Sequence, residues 1–416
     1  MKKTRLFSGF YYSLLIMLFV FGFSTQAQTV RTIRGIVLDE SNQKPLAFAT
    51  VAIEGSNVAT VSNSEGAFLL KFSEDLIKNN LVISFIGYER QVYPLAKLNE
   101  EENLFLLSPT SVSLSEVSVF PSDPDLLIRA IMSRKNQNYV SENMRNTAFY
   151  RETIKKGRNY VSLTEAVVDV FKPGYSSSRN DQVSLVIGRK STDYEKLDTV
   201  VFKLQGGPLS ALMLDIMRDP YSLFDSDQIG MYNFDISTIA KIDDRHLYVL
   251  SFKPAKSVTE PVFYGSLYVD MASLAVTSAS FNMDVSNKAE AARLFIKKKP
   301  FRADVYPTKA TYLVNYREKD GLWDLAYVRA EVSFKINWHR RLFNSNYYTS
   351  IEMAITDRIL AENKPFKASD RMKMSVIMEE AVEGFSDDNF WGDYNLIEPD
   401  QPIEDAIKRI QKQLEK

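Results

Sequence analysis

Cysteine is absent from the 416 residues of this chain. Its absence excludes disulfides, thiol nucleophiles, thiolate metal ligands and a lipid anchor on an N-terminal cysteine. Histidine is scarce, because only His246 and His339 are present. The formal net charge is -1, so no global field draws the chain to nucleic acid, and we expect no nucleic-acid partner.

The shortage of histidine also limits the enzyme classes open to this chain. A zinc peptidase of the carboxypeptidase kind needs two histidines and a glutamate on the metal, and a serine hydrolase triad needs a histidine base. No carboxylate lies three or four residues after either histidine, and the sequence has no G-x-S-x-G elbow. We therefore predict a non-enzymatic protein with no catalytic, cofactor-binding or metal-binding residues. A hydrolase is the least favoured alternative, because the 52 acidic residues show no spacing that singles out a carboxylate pair.

Residues 1–27 have the three-part pattern of a secretory signal. Lys2, Lys3 and Arg5 precede the apolar run YYSLLIMLFVFGF, and small residues follow it. We predict a signal peptide that is cleaved after Ala27, and a protein exported to the periplasm or associated with the outer membrane. The apolar run is shorter than the roughly 20 residues of a membrane span, although an uncleaved anchor is the alternative. No similar run follows, so we expect no transmembrane helix in the mature chain.

Residues 29–109 contain short apolar runs separated by turn-forming residues. Several runs alternate between apolar and polar positions, as in Ala49, Val51 and Ile53. Strands of this length with a turn signal about every 10 residues predict an all-β sandwich, here with seven strands. The runs are TIRGIVL (32–38), AFATVAIEG (47–55), VATVS (58–62), AFLLKF (67–72), LVISFIGY (81–88), RQVYPL (90–95) and NLFLL (103–107).

The stretch NSEGAFLL, residues 63–70, could form a metal loop, a catalytic turn or a structural turn of this sandwich. A calcium loop needs several oxygen ligands at alternating positions, but Glu65 is the only carboxylate between Glu54 and Glu74. Gly66 can supply a positive φ, and Asn63 can bond its own backbone. We therefore interpret the stretch as a structural turn, in which Glu65 is a solvated residue.

The same region resembles the carboxypeptidase-regulatory-like domain, a small prealbumin-like β-sandwich. The resemblance covers about 80 residues, and Asn63 stands where that family usually has an acidic residue before the glycine turn. It implies a non-catalytic accessory or docking domain that is common on exported proteins of Bacteroidota-type bacteria, and it does not imply peptidase activity. The residues that carry it are Gly35, Pro45, Leu46, Ala49, Val51, Gly55, Gly66, Ala67, Phe68, Ser84, Phe85, Ile86, Gly87 and Tyr88.

A linker and a helix follow the sandwich. Residues 110–123 are rich in Ser and Pro, which indicates a linker. In the segment 124–139, Pro124 suits a first helical turn and Asp123 suits an N-cap. The helical period then places Leu126, Leu127, Ala130 and Ile131 on one apolar face.

Residues 124–384 are predicted to form a larger antiparallel β domain, a curved sheet or half-barrel with a few helices. Long alternating runs between 145 and 360 are joined by short turns, and the apolar insert GPLSALMLDIM (207–217) reads as a buried helix. A sheet with one aromatic face must bury that face against itself or against a helix. Its candidate residues are Tyr264, Leu267, Trp323, Leu325 and Tyr327. They are interpreted as ordinary core, or alternatively as an apolar face that binds a lipid or acyl chain.

A second resemblance covers this larger region. EAVVDVFKPGY, GSLYVDMASLAVTSASF and FWGDYNLIEP resemble segments of exported Bacteroidota envelope proteins of uncharacterised activity that carry the same N-terminal module. The strand-rich core is also similar, in fold alone, to the lipoprotein-carrier half-barrel of the periplasm.

Residues 385–416 are predicted to form an aromatic tail and a C-terminal helix, and this helix either packs on its own chain or binds a partner. Taken together, the sequence predicts a mainly β, non-enzymatic cell-envelope protein with an accessory or scaffold role and an envelope protein partner. The alternative is a periplasmic lipid or lipoprotein carrier with an apolar cavity in the large β domain.

Overall fold

The computed structural model describes residues 29–110, 123–192, 206–218, 230–242, 244–255, 262–296, 302–339, 344–362, 364–384 and 390–414. The predicted signal peptide and its cleavage site after Ala27 lie outside these residues, as does most of the predicted linker. Those assignments and the domain boundaries stay predictions.

Seven strands form the N-terminal sandwich, as predicted. One sheet has the order β4-β1-β7 and the other the order β3-β2-β5-β6. All neighbouring strands are antiparallel except β1 and β7, which are parallel. The inner side chains close a core in which the rings of Phe68 and Phe105 lie 5.6 Å apart. The strands are β1 Val30–Asp39, β2 Thr50–Ile53, β3 Ala59–Val61, β4 Ala67–Ser73, β5 Asn80–Ser84, β6 Gln91–Pro94 and β7 Asn103–Leu107.

Ten further strands form one antiparallel sheet that does not close, and the prediction of a mainly β protein with a large antiparallel sheet is confirmed. The order is β10-β9-β8-β17-β16-β15-β14-β13-β12-β11. The chain therefore crosses from β10 to the far edge, returns as a meander, and places β17 beside β8. The strands are β8 Met144–Lys156, β9 Asn159–Lys172, β10 Gln182–Thr192, β11 Tyr232–Ile242, β12 Arg245–Pro254, β13 Phe263–Asp270, β14 Val276–Met283, β15 Ala303–Lys319, β16 Leu322–Trp338 and β17 Ser345–Leu360.

Helices are few. Among the described residues, none combines the length and the apolar character that crossing a membrane requires. The two faces of the large sheet are named here by what covers them: the inner face carries α1 and α2, and the outer face carries the sandwich and the tail. The helices are α1 Pro124–Asn138, α2 Pro208–Leu212, α3 Lys288–Phe295, α4 Met378–Ala381 and α5 Gln401–Leu414.

Helix α1 begins where the sequence predicts. The Asp123 carboxylate accepts hydrogen bonds from the backbone N–H groups of Asp125 and Leu126, at 2.9 and 3.3 Å. Its predicted apolar face is partly wrong, because the Leu126 side chain is 62% exposed while Ile128 is buried. The buried stripe of the helix is rotated about the helix axis by less than one turn from the predicted position. The sequence alone does not show which of two adjacent leucines faces the core.

Most of the apolar insert is buried, as predicted, although Met213 is 71% exposed, and only α2 is helical. The rest of it forms turns whose Asp215 anchors the segment to the inner face of the sheet. The Asp215 carboxylate accepts from Lys172 Nζ at 2.7 Å, and from the hydroxyls of Tyr175 and Tyr316 at 2.8 Å each. All four side chains lie in the buried interior. A segment that looks apolar in the sequence is therefore held by the buried carboxylate of Asp215. The free-energy cost of burying this charge is offset because the carboxylate is hydrogen-bonded and paired with Lys172.

The tail segment 390–400 lies between the sandwich and the outer face. Trp391, Leu396 and Ile397 are buried there. The Trp391 ring meets the Phe149 ring of β8 edge-on, with centroids 5.5 Å apart. The aromatic tail therefore packs on its own chain.

Hydrogen bonds attach this tail segment to both sheets of the sandwich. The Asn395 amide accepts from Lys71 N at 2.6 Å and donates to Lys71 O at 2.8 Å. Thr60 Oγ1 donates to Leu396 O at 2.8 Å. Because β3 and β4 are edge strands, the tail covers backbone that would otherwise be open to pairing with another chain.

The NSEG stretch is a structural turn, as interpreted. Gly66 has a φ of 76°, and a Cβ there would lie 2.4 Å from Val37 O. Asn63 Oδ1 accepts from the N–H groups of Glu65 and Ala67, at 2.9 Å each. Only glycine fits both the conformation and the space.

Glu65 is exposed to solvent, as interpreted, but it also makes a contact that the sequence does not predict. Its Oε2 accepts from Gln401 N at 3.0 Å, at the start of α5. Ser64 Oγ donates to Asp400 Oδ2 at 2.8 Å, and Asn63 Nδ2 donates to Pro399 O at 3.1 Å. The turn is thus a docking point for the tail, which lies more than 300 residues away in the sequence.

Candidate functional site

The five residues predicted for one ligand face do not lie together. Leu267, Trp323 and Leu325 are buried in the main core on the inner face. Tyr264 is 43% exposed and lies on the opposite face of β13 from Leu267. Tyr327 is buried on the outer face, where its ring stacks on Phe48 of the sandwich at 5.6 Å.

A β-bulge explains the displacement of Tyr327. Asn315 pairs with Tyr327, but the next residue, Tyr316, pairs with Leu325, so Ala326 is an extra residue in β16. A bulge of one residue reverses the facing of every later side chain. The sequence pattern of alternate residues from Trp323 to Tyr327 gave no sign of it.

One cross-strand row crosses all ten strands on the inner face, and we call it the inner row. Paired residues in neighbouring strands point to the same face. Its first seven members are apolar and its last three are polar. In order from β11 to β10 they are Phe234, Phe252, Gly265, Phe281, Tyr312, Ala330, Ile351, Glu152, Thr164 and Lys190.

Aromatic rings make the apolar end of the inner row continuous. The Phe234 and Phe252 rings lie 6.4 Å apart, those of Phe252 and Phe281 6.5 Å, and those of Phe281 and Tyr312 5.1 Å. Gly265 lies between Phe252 and Phe281 in the row, and a Cβ there would come within 2.3 Å of a backbone oxygen of β14. The missing side chain lets the rings meet over it.

Several apolar side chains at this end of the inner face remain partly exposed. The next row toward α1 is different, because its members from Leu250 to Ala166 are almost completely buried. The inner row itself is mixed, because Phe252, Phe281 and Tyr312 are buried whereas Phe234, Ala330 and Ile351 are partly exposed. The partly exposed residues are Phe234, Phe263, Phe295, Ala330, Trp338 and Ile351.

The polar end of the inner row begins at Glu152, which is 5% exposed. Burial raises the pKa of Glu152 to about 7, although the hydrogen bond from Tyr150 opposes the rise and the nearby Glu379 carboxylate adds to it. Tyr150 OH donates to Glu152 Oε2 at 2.9 Å. Thr164 Oγ1, opposite Glu152, is buried without a hydrogen-bond partner in the described part of the chain. The polar end of the row therefore contains a carboxyl group whose pKa lies near neutral pH.

The outer face of the same strands carries a row of alternating charges, which we call the charge ladder. Arg151 is its centre, 2.7 Å from Glu165 and 3.1 Å from Glu352. Arg189 lies 2.8 Å from Glu165 and Arg329 lies 2.7 Å from Glu352. Each charged side chain in the row has only neighbours of the opposite charge. Their attraction offsets the free-energy cost of burying the row.

Within the charge ladder, each charged side chain shifts the pKa of its neighbours. Burial alone would raise the pKa of Glu165, but Arg151 and Arg189 outweigh it and lower that pKa below its usual value. Burial would lower the pKa of Arg151, and Glu165 and Glu352 raise it instead. The ladder is also tied to the tail, because Arg151 Nη2 donates to Ile397 O at 2.7 Å.

Beside the ladder lies a cleft of about 580 Å³ that three parts of the chain enclose. The sandwich contributes Asn63 and Ser64, the sheet contributes β8, β16 and β17, and the tail contributes residues 400–403. This volume is ordinary for a small-molecule site. No sequence signal predicts it, because its walls come from both ends of the chain.

The described part of the chain shows neither a cluster of metal ligands nor a histidine placed in a catalytic arrangement. No cluster of three His, Asp or Glu is placed there to hold a metal ion. His339 Nε2 lies 3.1 Å from Asp304 Oδ2 in an exposed contact, and His246 lies in β12 opposite Lys241. The absence of catalytic, cofactor and metal sites stays a prediction.

Comparison with protein families identifies the N-terminal region. A family model described as the CarboxypepD_reg-like domain matches residues 33–119. The chain therefore carries a CarboxypepD_reg-like domain, and the resemblance predicted from its turns and strands is confirmed. The match does not extend to the large sheet. None of the curated proteins matches the chain significantly.

Solved structures resemble the chain only distantly. A DUF1329 family protein from Desulfovibrio piger is 15% identical and covers 60% of this chain and 99% of its own, with a TM-score of 0.24. A LolA superfamily protein from Nitrosomonas europaea is 11% identical and covers 57% and 94%, with a TM-score of 0.22. A domain named for outer membrane lipoprotein sorting, from Vibrio parahaemolyticus, is 12% identical and covers 60% and 97%, with a TM-score of 0.24. Scores this low support no assignment of function.

Proposed function

We propose that this protein is a non-enzymatic cell-envelope protein that holds a lipid or acyl chain on the inner face of its large sheet. The inner row supports this proposal. It places partly exposed apolar side chains, among them Phe234 and Ile351, along one line across the sheet. A ligand that removes such surface from water gains roughly 25 cal/mol for each Å² that it covers.

The chemistry of the row favours a chain-like ligand. Its members from Phe234 to Ile351 carry no charge, and neighbouring strands are about 4.8 Å apart, so this apolar stretch spans roughly 29 Å. An elongated hydrocarbon can follow such a line, and it needs no hydrogen bonds along the way. Export to the periplasm or to the outer membrane is part of the same proposal, as is the lack of enzymatic turnover.

Native mass spectrometry of the mature protein, extracted from its own cell envelope without detergent, tests this function. We expect a reproducible added mass that fragments as lipid. The Phe263→Ser variant should lose most of it, because the Phe263 ring is partly exposed on the inner face and packs on Phe281 and Tyr312 of the inner row. Tyr264→Ser is the matched control, since the next residue points to the opposite face and is 43% exposed.

A bare mass for the parent protein, with no uptake of palmitate from vesicles, would rule out the carrier function. If Phe263→Ser proves too unstable to purify, Ile351→Asn tests lipid binding on the same inner face, at a partly exposed position of β17. Turnover in a peptidase or glycosidase panel that vanished on replacing one carboxylate pair would contradict the non-enzymatic proposal.

The sandwich supports a second candidate function, an accessory or scaffold role through an envelope protein partner. Ile36 in β1 and Leu104 in β7 are paired across the sheet, and their side chains are 44% and 58% exposed. Contiguous exposed apolar patches mark protein contacts, and this pair is the proposed centre of such a patch. If a second polypeptide remains bound in native mass spectrometry, Ile36→Asp should release it and Val92→Asp, at another exposed apolar position, should not.

A further inference from the structure

We propose that the cleft between the sandwich, the outer face and the tail binds an acidic saccharide. The cleft lies on the opposite side of the sheet from the inner row, so this site is independent of the proposed lipid site. The two proposals can therefore fail separately.

The first argument is the balance of charge in the cleft. In the charge ladder, the cations Arg151 and Arg329 are each within 3.1 Å of a carboxylate. Lys155 and Arg158 also line the cleft, yet among the described residues neither has a carboxylate within 4.0 Å. Lys155 Nζ instead lies over the Tyr160 ring, 4.2 Å from the ring centroid. Two cations without a paired carboxylate therefore line the cleft, which also holds the carboxylates of Glu331, Glu352 and Asp400.

The second argument is the polar character of the rest of the wall. Hydroxyl groups from Thr153, Ser350 and Ser333 line the cleft, and the first two bond each other at 2.7 Å. Each hydroxyl keeps lone pairs or a proton that a ligand hydroxyl can use. The Tyr348 ring, 43% exposed, offers an aromatic surface at the same place.

Together these features define the ligand class. A sugar ring has a C–H face that packs on an aromatic side chain and an edge of hydroxyls that bond serine and threonine. A carboxylate on the ring would lie between Lys155 and Arg158, where charge-assisted hydrogen bonds are strong. A neutral sugar lacks that contact, and a purely apolar ligand leaves the hydroxyls unpaired.

The site would exist only in the assembled protein. Ser64 of the sandwich and Asp400 of the tail form its far wall and bond each other at 2.8 Å. Separate fragments would each present an open surface, so the test requires the full chain.

Isothermal titration calorimetry with the mature full-length protein tests the proposal. The probes are glucuronic acid, glucose and inorganic phosphate. We expect glucuronic acid to bind at least tenfold more tightly than glucose, with an affinity that falls as salt is added. The double variant Lys155→Gln/Arg158→Gln should lose this preference. Lys156→Gln is the control for each single charge, because it removes one positive charge beside Lys155 from a side chain that does not line the cleft.

The outcomes separate the alternatives. A preference for glucuronic acid that the double variant abolishes and Lys156→Gln keeps supports the acidic-saccharide site. Phosphate binding as tight as that of glucuronic acid would overturn the saccharide assignment and leave a simple anion site. Equal affinity for glucose and glucuronic acid, or no binding at millimolar concentration, would overturn the proposal while leaving the lipid measurement untouched.

Discussion

The two faces of the ten-stranded sheet are built from the same strands and have opposite chemistry. Along β8, Arg151 points outward into the charge ladder and Glu152 points inward to the end of the inner row. The outward side is made of paired charges under the tail, and the inward side is apolar over most of its width. Adjacent residues in a strand therefore serve two unrelated surfaces.

This comparison shows that burial of a charge has two different consequences. In the charge ladder, each carboxylate has a cation on either side, and the pKa of Glu165 is lowered. Glu152 has no ion pair among the described residues, and burial raises its pKa to about 7, with the nearby Glu379 carboxylate adding to the rise. The neighbours of a buried carboxyl, and not its burial alone, decide which form is stable.

The largest expected effect comes from breaking the charge ladder at its centre. Arg151→Leu leaves Glu165 buried with one cation fewer and Glu352 buried with only Arg329, so we expect a loss of about 3–5 kcal/mol in the free energy of unfolding. Urea denaturation at pH 7 measures it. Arg293→Leu, which removes an exposed arginine paired with Glu290, should cost about 0.5 kcal/mol or less. A loss of that small size at Arg151 would show that the ladder does not stabilise the outer face.

The inner face should depend on apolar packing instead. Leu267 is completely buried, so Leu267→Ala should cost about 2–5 kcal/mol through lost contacts and the cavity left behind. Tyr264→Ala, on the outer side of the same strand, should cost less than about 1 kcal/mol because its side chain is 43% exposed. Thermal unfolding of both variants compares the two sides directly. Equal losses would mean that the faces of β13 are wrongly assigned.

The two buried carboxyls should respond to pH in opposite directions. The folded-state pKa of Glu152 is about 7 and its ordinary value is 4.5, so folding loses stability as pH rises through this window. Glu152→Gln should therefore be more stable than the parent at pH 8, by up to about 3 kcal/mol, and nearly equal to it at pH 4.

Glu165→Gln is the comparison for that measurement. Its folded-state pKa lies below the ordinary value, so its carboxylate stabilises the fold above that value and loses this contribution as pH falls. The Gln variant should be less stable than the parent at pH 7, with a difference that shrinks in acid. Urea melts from pH 4 to pH 8 measure both, and pH-independent differences would contradict the two assignments.

The smallest expected effect concerns the tail that covers the outer face. Asn395→Ala removes the two hydrogen bonds to Lys71 of β4, at a cost of about 1–2 kcal/mol. Amide hydrogen exchange at β4 should rise in this variant, because its edge loses cover. Asn99→Ala, whose side chain has no such role at the tail, serves as control. Unchanged exchange at β4 would show that the tail does not protect this edge.

Much of the architecture was predictable from local pattern. The seven strands of the sandwich, the Gly66 turn and the start of α1 at Asp123 all follow from signals within a few residues. The candidate ligand face was less predictable, because the bulge at Ala326 moves Tyr327 to the outer side. A bulge leaves little mark in a run of apolar residues, since Leu325, Ala326 and Tyr327 are all buried.

The charge ladder and the cleft had no sequence signal at all. Arg151, Glu165 and Arg189 lie on successive strands, while Glu352 and Arg329 enter the row only because β17 returns beside β8. Charged residues on alternating strands normally indicate a solvated face, and nothing local shows that a tail from the end of the chain will cover them. Such a row becomes visible only when the strand order and register are known.

The sequence by itself determined the fold class, the seven-stranded sandwich and the family to which that domain is similar, because these depend on periodicity and turn residues. The tertiary structure alone decided which residues share a face, which carboxyls are paired and where the cleft lies. The reason is that register, bulges and the position of the tail are set by contacts between residues far apart in the chain. Glu65 and Gln401 are one such pair. They are 336 residues apart in the sequence, and Gln401 N lies 3.0 Å from Glu65 Oε2.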